Sequence, residues 1–225
     1  MTVVLCTVAI ACTGSVSAVG APSGAAEASD AGSWSVTSFF DDTDVFVSAG
    51  SIAGHGDRPA AAVLDSRHAR VLYASDPLGG SGFEVVPLEV PASGAPTLDL
   101  EIEPDGTPHI FVVRDNGTTY TFGYASRTAT GWVTESAVST GPRVMNFQLH
   151  GGAVDASGTA HALISMVGTT SIYVRTPNGW ILRPVGVSTA FPHIATSPTG
   201  SIHVCANTVE GVVHMFGDPL GAWMS

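Results

Sequence analysis

Basic side chains, cysteine and helix-type periodicity are all scarce in this chain of 225 residues. Lys and Arg together number 8 against 19 Asp and Glu, which gives a formal net charge of −11. Proteins that grip phosphate backbones carry a basic patch or stripe, and none is visible, so nucleic acid is disfavoured as a partner. An acidic surface aids solubility and repels anionic membranes, but it names no ligand. Charged residues of both signs make up only 12% of the chain, and no stretch beyond the leader sustains a 3.6-residue apolar period built from helix formers. With 26 Gly and 14 Pro, the composition suits many short strands joined by turns. The length allows one large all-β domain or two small ones.

Cysteine occurs three times, as Cys6, Cys12 and Cys205. The first two lie in the apolar leader, so the body has no partner for a disulfide if the leader is removed. Neither a zinc cluster nor a C-x-x-C motif exists. Cys205, in His203-Val204-Cys205-Ala206, reads as an inert core residue of an apolar strand. The motifs of common chemistry are missing too: no G-x-S-x-G, P-loop, dinucleotide fingerprint or H-E-x-x-H. Gly79-Gly80-Ser81-Gly82 has no following Lys-Ser/Thr or helix and reads as a turn. Asn116-Gly117-Thr118 spells a glycosylation sequon but is more simply an Asn-Gly hairpin turn. No cofactor is expected.

Residues 1–18 are apolar and then small, ending in Ser15-Val16-Ser17-Ala18, which has the character of a signal-peptide cleavage site. The run is short for a membrane span and lacks the usual basic start. Ala9-Ile10-Ala11-Cys12 resembles a lipobox, so Cys12 is an alternative lipid-anchor site. Either reading places the protein outside the cytoplasm, secreted or in the cell envelope, with no transmembrane span in the mature chain. Residues 19–33, rich in Ala, Ser and Gly, read as a flexible spacer, and the folded domain is expected over 34–225.

What the body does have is a repeat. Trp34, Phe83, Trp132, Trp180 and Trp223 fall at intervals of 49, 49, 48 and 43 residues. The turn glycines Gly56, Gly106, Gly158 and Gly200 fall 50, 52 and 42 apart, and Pro59, His109, His161 and His203 follow them by three. A third ladder, Tyr73, Tyr124, Tyr173 and Phe216, keeps the same order. Each unit reads as four strands. In the second unit they are about 97–103, 109–114, 118–125 and a strand opening at Trp132. The first unit is the most worn, with only Ala60–Val63 and Arg70–Ser75 legible. Four-stranded meanders repeated every 40–50 residues predict an all-β propeller of about four antiparallel blades, since a lone meander cannot cover its apolar faces. Closure stays open: Trp34–Phe40 could complete the last blade, leaving Trp223-Met224-Ser225 surplus. The ring could equally be incomplete in one chain, or be completed by self-association.

The units resemble those of secreted bacterial β-propeller repeat proteins, with their Asp-Gly-x-Pro-His turn, Tyr-Ala and Gly-Trp. Asp105-Gly106-Thr107-Pro108-His109, Tyr124-Ala125 and Gly131-Trp132 carry the likeness. Ser157-Gly158-Thr159-Ala160-His161 and Thr199-Gly200-Ser201-Ile202-His203 follow it more loosely, and Gly56-Asp57-Arg58-Pro59 departs most. The resemblance implies architecture, since propellers host hydrolases, lectins and scaffolds alike. No unit contains the sialidase-type Asp-box.

His109, His161 and His203 invite a zinc reading through their equivalence, but equivalent positions on separate blades are usually too far apart to share an ion. A structural role is expected. His55, His68, His150 and His193 follow no ladder. Asp41-Asp42-Thr43-Asp44 could offer oxygen ligands to calcium but lacks the loop spacing, so a solvated turn is favoured. Glu101 and Glu103 alternate with apolar residues and are expected to face outward. Nothing pairs Asp65, Asp115, Glu135 or Glu210 as a glycosidase would need. The reading is an exported, non-catalytic binding or scaffold module whose ligand is an extracellular glycan or protein. The alternatives are a polysaccharide-active hydrolase and a truncated propeller with no activity of its own.

Overall fold

The structure, a computed structural model, describes residues 44–55, 58–77, 82–90, 96–115, 119–140, 147–166, 169–185, 190–197, 199, 201–208, 211–217 and 223–224. The leader, the spacer, Trp34–Phe40, Asp41, Asp42, Gly56, the 79–81 turn, Asn116-Gly117-Thr118, Gly200 and Glu210 lie outside these. Every strand belongs to one compact unit, Thr43–Ser225, and the described residues contain no helix.

The described residues form sixteen strands in four antiparallel sheets of four, each in sequence order, so the protein is an all-β propeller with an incomplete or open ring. The first blade holds β1 (Val47–His55), β2 (Arg58–Asp65), β3 (Arg70–Ala74) and β4 (Glu84–Val86). The second holds β5 (Thr97–Ile102), β6 (Pro108–Asp115), β7 (Tyr120–Thr128) and β8 (Gly131–Thr140). The third holds β9 (Gln148–Val154), β10 (Ala160–Met166), β11 (Thr169–Thr176) and β12 (Gly179–Pro184). The fourth holds β13 (Ala190–Thr196), β14 (Ile202–Thr208), β15 (Gly211–Gly217) and β16 (Trp223–Met224). Trp223 is therefore no surplus: it opens the outer strand of its own blade, pairing with Gly217.

The middle strands of the second and third blades are covered on both sides, which explains their nearly unbroken apolar runs. Side chains alternate between the preceding and the following blade, and three clusters result, one at each junction. Ala62, Leu64 and Tyr73 meet Leu100, Ile110 and Val112 of the second blade. Phe111, Phe122 and Tyr124 meet Ala162, Ile164 and Tyr173 of the third. Leu163, Ile172 and Val174 meet Ile202, Val204 and Met215 of the fourth. First strands pack in succession, β1 on β5, β5 on β9 and β9 on β13, and no comparable packing joins β13 back to β1 among the described residues.

The carboxylate of Asp99 on β5 fixes this inner line. It accepts from Ser51 Oγ of β1 (2.9 Å) and from the Gly152 amide of β9 (2.7 Å), so it ties three blades at once. Gly152 is needed for the approach: a Cβ there would lie 2.2 Å from the Phe111 ring. The Asp-Gly turns repeat in detail. Glu103 and Asp155 each donate their amide to the carbonyl of Thr107 or Thr159, and Gly106 and Gly158 turn with φ of 91° and 78°.

Candidate functional site between adjacent blades

The residue ladders take definite positions. His109, His161 and His203 lie across from Ser126, Val174 and Phe216, and one step further along Trp132, Trp180 and Trp223 face Arg127, Arg175 and Gly217. Phe83 lies half-buried just before β4, and Pro59 sits on β2 opposite Gly54. The tyrosine ladder does not keep one orientation. Tyr73 and Tyr124 point at the next blade, where they meet Trp132 and Trp180 edge to face at 5.3 and 5.1 Å. Tyr173 points back and stacks on Phe122 of the second blade. Its place in register relative to His161 is one residue later, which turns it to the other face; Ile172 stands where Tyr124 stands.

Between the second and third blades lies a cleft of about 800 Å³, lined by Glu135, Ser136, Gly158, Thr159 and the hairpin Arg175–Trp180. Glu135 comes from β8, directly across from Tyr124. Arg175 Nε donates to Glu135 Oε1 at 3.0 Å, and the Trp180 indole Nε1 donates to Glu135 Oε2 at 2.9 Å. The guanidinium lies over the Tyr124 ring at 5.4 Å. The hairpin itself is held by Thr176 Oγ1, which donates to the Gly179 carbonyl. Beneath, His109 Nδ1 and the Tyr124 hydroxyl share a 2.6 Å hydrogen bond, and His109 Nε2 lies 3.5 Å from Glu103 Oε1. Burial, with the charge of Arg175, pulls the His109 imidazole down to about 4, so it is neutral at pH 7.

The same set recurs one blade earlier. Arg127 bonds Glu84 at 2.8 Å and lies over the Trp132 ring at 5.9 Å, and Glu84 stands across from Tyr73 as Glu135 does from Tyr124. The junction of the third and fourth blades lacks it. Ile172 and its cross-strand partner Arg183 replace the Tyr–Glu pair, and Gly217 replaces the arginine.

Other chemistry finds less support. Among the described residues, no three His, Cys, Asp or Glu are placed to hold a metal ion. Asp44 is engaged with Arg67 and His68, and Asp65 with His68 and Arg70. Two carboxyls near the cleft are driven apart, as an acid and base would be. Burial, then Asp105 and Asp155, raises Glu103; Asp155 is raised by burial but lowered on balance by bonds from Ser157, His161 and Thr159. Those bonds occupy both Asp155 oxygens, and they leave it a turn brace rather than a base. Glu101 and Glu103 do not face outward: both are half-buried, and burial together with Asp99 pushes Glu101 up to about 7. Cys205 is not a core residue either; it is exposed, because its side of the fourth blade is uncovered.

The sequence matches no protein-family profile and no curated protein. Solved structures do resemble the fold. AofleA from Arthrobotrys oligospora is 12% identical with a TM-score of 0.54, and the match covers 78% of this chain and 54% of AofleA. YCF48 bound to D1 peptide is 16% identical with a TM-score of 0.43, covering 84% of this chain and 56% of that one. A catalytically inactive virginiamycin B lyase from Staphylococcus aureus is 10% identical with a TM-score of 0.36, over 78% and 71%. The latter two are β-propeller-type proteins. This chain thus spans about half the length of AofleA and YCF48, and the likeness is one of fold alone.

Sequence reasoning had passed over Arg127, Arg175 and Glu84, and had left Glu135 unpaired. A signal was present: Arg precedes Trp by five residues in both Arg127–Trp132 and Arg175–Trp180.

Proposed function

We propose that the protein is an exported, non-catalytic carbohydrate-binding propeller, akin to the secreted bacterial repeat proteins its blade motifs resemble. The observation that carries this reading is the Arg175–Glu135–Trp180 constellation in the cleft of the second and third blades, with its near-copy at Arg127, Glu84 and Trp132. A sugar ring offers an apolar C–H patch and a fan of hydroxyls that both donate and accept. An indole supplies the apolar platform, a guanidinium the paired donors and a carboxylate the paired acceptors. Arg175 and Glu135 satisfy one another across the cleft, so a ligand's hydroxyls exchange for bonds already well oriented. The net charge of −11 favours a neutral sugar over an anionic one.

The test is a glycan array with labelled full-length chain, followed by calorimetry on the best ligand for wild type, Arg175→Met and Glu135→Gln. Loss of a charge-assisted bond predicts about a tenfold to hundredfold fall in affinity for each variant. The salt bridge is partly exposed, so little stability should go with it. Equal affinity in wild type and both variants would sink the reading. Release of free sugar from a bound glycan would turn it toward the hydrolase alternative.

A further inference from the structure

The second, third and fourth blades share one turn between their first and second strands, and its opening residue differs in what its side chain does. Glu103, Asp155 and Ser197 each donate their amide to the carbonyl four residues on. The side chains of Asp155 and Ser197 are taken up by the turn itself. Asp155 accepts from Ser157, Thr159 and His161, and Ser197 Oγ accepts from the Ser201 amide. Glu103 is one methylene longer than Asp155, and Asp105 braces its turn instead, accepting from the Thr107 amide at 2.8 Å. The Glu103 carboxyl is therefore left over. Among the described residues it accepts no hydrogen bond, and its one ion-pair contact is His109 Nε2, 3.5 Å from Oε1.

That carboxyl adjoins the cleft of the second and third blades. Gly158 lines the cleft, and a Cβ on it would lie 3.6 Å from Glu103 Oε1, so the missing side chain leaves the carboxyl accessible there. From the other side a chain of contacts runs down from Arg175: guanidinium over the Tyr124 ring, hydroxyl to His109 Nδ1, and His109 Nε2 against Glu103. With the Tyr124 hydroxyl donating to Nδ1, Nε2 carries the imidazole proton, and this buried N–H has no hydrogen-bond partner. The imidazole is neutral at pH 7, so it supplies no charge to balance Glu103. Burial, then the carboxylates of Asp105 and Asp155, raises the Glu103 carboxyl. Arg175 is committed to Glu135 through both Nε and Nη2. Four carboxylates, Glu103, Asp105, Glu135 and Asp155, thus stand around the cleft against the charge of Arg175.

We propose that this cleft selects a sugar bearing a free amine, whose ammonium docks on Glu103 while its ring lies on Trp180 and its hydroxyls meet Arg175 and Glu135. The inference rests on the carbohydrate reading of the cleft and narrows it to amino sugars. An ammonium brings three donors and a positive charge. It gives Glu103 the charge-assisted bonds that neutral His109 and committed Arg175 do not. A hydroxyl in the same place donates once and leaves the carboxylate's charge unbalanced. The same excess of acid turns away carboxylated sugars. His109, held by Tyr124, acts as a positioning residue that keeps Glu103 beside the cleft.

Calorimetry on the full chain at about pH 6, below the ordinary amine range, compares trimers of glucosamine, N-acetylglucosamine and glucose in one linkage. The glucosamine trimer should bind about tenfold or more tighter than the other two, as a charge-assisted bond provides. Glu103→Gln keeps the shape of the side chain, should melt no lower than wild type, and should erase that advantage. Asp44→Asn makes the same change in net charge beside Arg67 on the first blade. It should retain the advantage, which separates docking from the general pull of an acidic protein on a cationic sugar. Raising the pH to about 9 discharges the amine and should level the three trimers in wild type without any substitution. Three trimers that bind alike at the lower pH would overturn the proposal. So would an advantage that survives Glu103→Gln, or one that Asp44→Asn lowers as much. Failure of the glucosamine trimer to bind overturns it as well, and the glycan array then decides the broader carbohydrate reading by itself.

Discussion

Glu101 is the residue whose replacement should make the protein more stable, and only on one side of neutrality. It sits half-buried on β5 between the ladder partner His109 and the Asp99 that ties three blades. Burial, then the Asp99 charge, pushes its carboxyl from 4.5 up to about 7. A gap of that size corresponds to about 3 kcal/mol of differential stability between the two protonation states. Because the folded value lies above the unfolded one, the neutral acid is what the fold accommodates. Its contribution is fully present below about pH 4.5 and is lost as pH rises through about 7. Gln has nearly the shape of the protonated acid and no charge to desolvate. Glu101→Gln should therefore match wild type near pH 4 and exceed it by about 2–3 kcal/mol near pH 8.5, a rise of roughly 5–10 °C in melting temperature for a domain of this size. Circular-dichroism melts of both proteins at matched ionic strength, from about pH 4 to 8.5, would measure the difference and cancel every other titrating group. A variant no more stable than wild type at the alkaline end refutes the argument. A gain that is constant with pH refutes it too, since that would be a packing effect.

His109 should give the opposite limb. Its folded value of about 4 lies below the ordinary 6.5, so its contribution is present above 6.5 and lost as pH falls through 4. His109→Asn should cost stability at neutral pH yet shrink the loss on acidification, read as a flatter acid side of the melting-temperature profile. Gly152→Ala forces a methyl into the Phe111 ring and should cost about 1–3 kcal/mol or more in a urea titration. Tyr124→Phe removes the 2.6 Å bond to His109 and should cost about 1 kcal/mol while leaving the Trp180 contact intact, which near-ultraviolet circular dichroism would show.

The architecture was legible because a propeller writes it many times. The Asp-Gly turns, the nearly unbroken apolar middle strands and the Gly-Trp openings of the second and third units fall within about three residues of the strand ends of β5 through β12. The strand β1 was not legible: V-S-A-G-S-I-A-G-H has small residues where a strand signal needs branched ones, and it is a strand because Ala60–Ala62 and Asp99 accept it closely. The cleft was invisible for a different reason. Its residues come from β8, β11 and β12, on two blades, and each alone reads as an ordinary surface charge or a repeat marker. Tyr173 shows the limit of spacing as a guide. One residue of register turns it from the forward face to the backward one, and an interval near 50 residues does not resolve that step. Cys205 misled through its apolar neighbours, which do face the core; alternation puts the thiol on the opposite side, which none of the described blades covers.

Placing the site between blades rather than on one of them has a consequence for stoichiometry. A blade supplies the Glu from its outer strand, and the next supplies Arg and Trp from its outer hairpin, so the constellation forms only where both halves meet. The first and second blades meet with Glu84, Arg127 and Trp132, and the second and third with Glu135, Arg175 and Trp180. The third offers Arg183 where the acid should stand, and the fourth Gly217 where the arginine should. Calorimetry should accordingly count two sites per chain and not three. They should be unequal, because Trp180 holds Glu135 by its indole N–H, whereas the Trp132 Nε1 is buried without a partner and does nothing to orient Glu84. Arg175→Met should remove the tighter site alone, and Arg127→Met the weaker. If either variant abolished both, the two constellations would not be independent, and the ligand would have to bridge them.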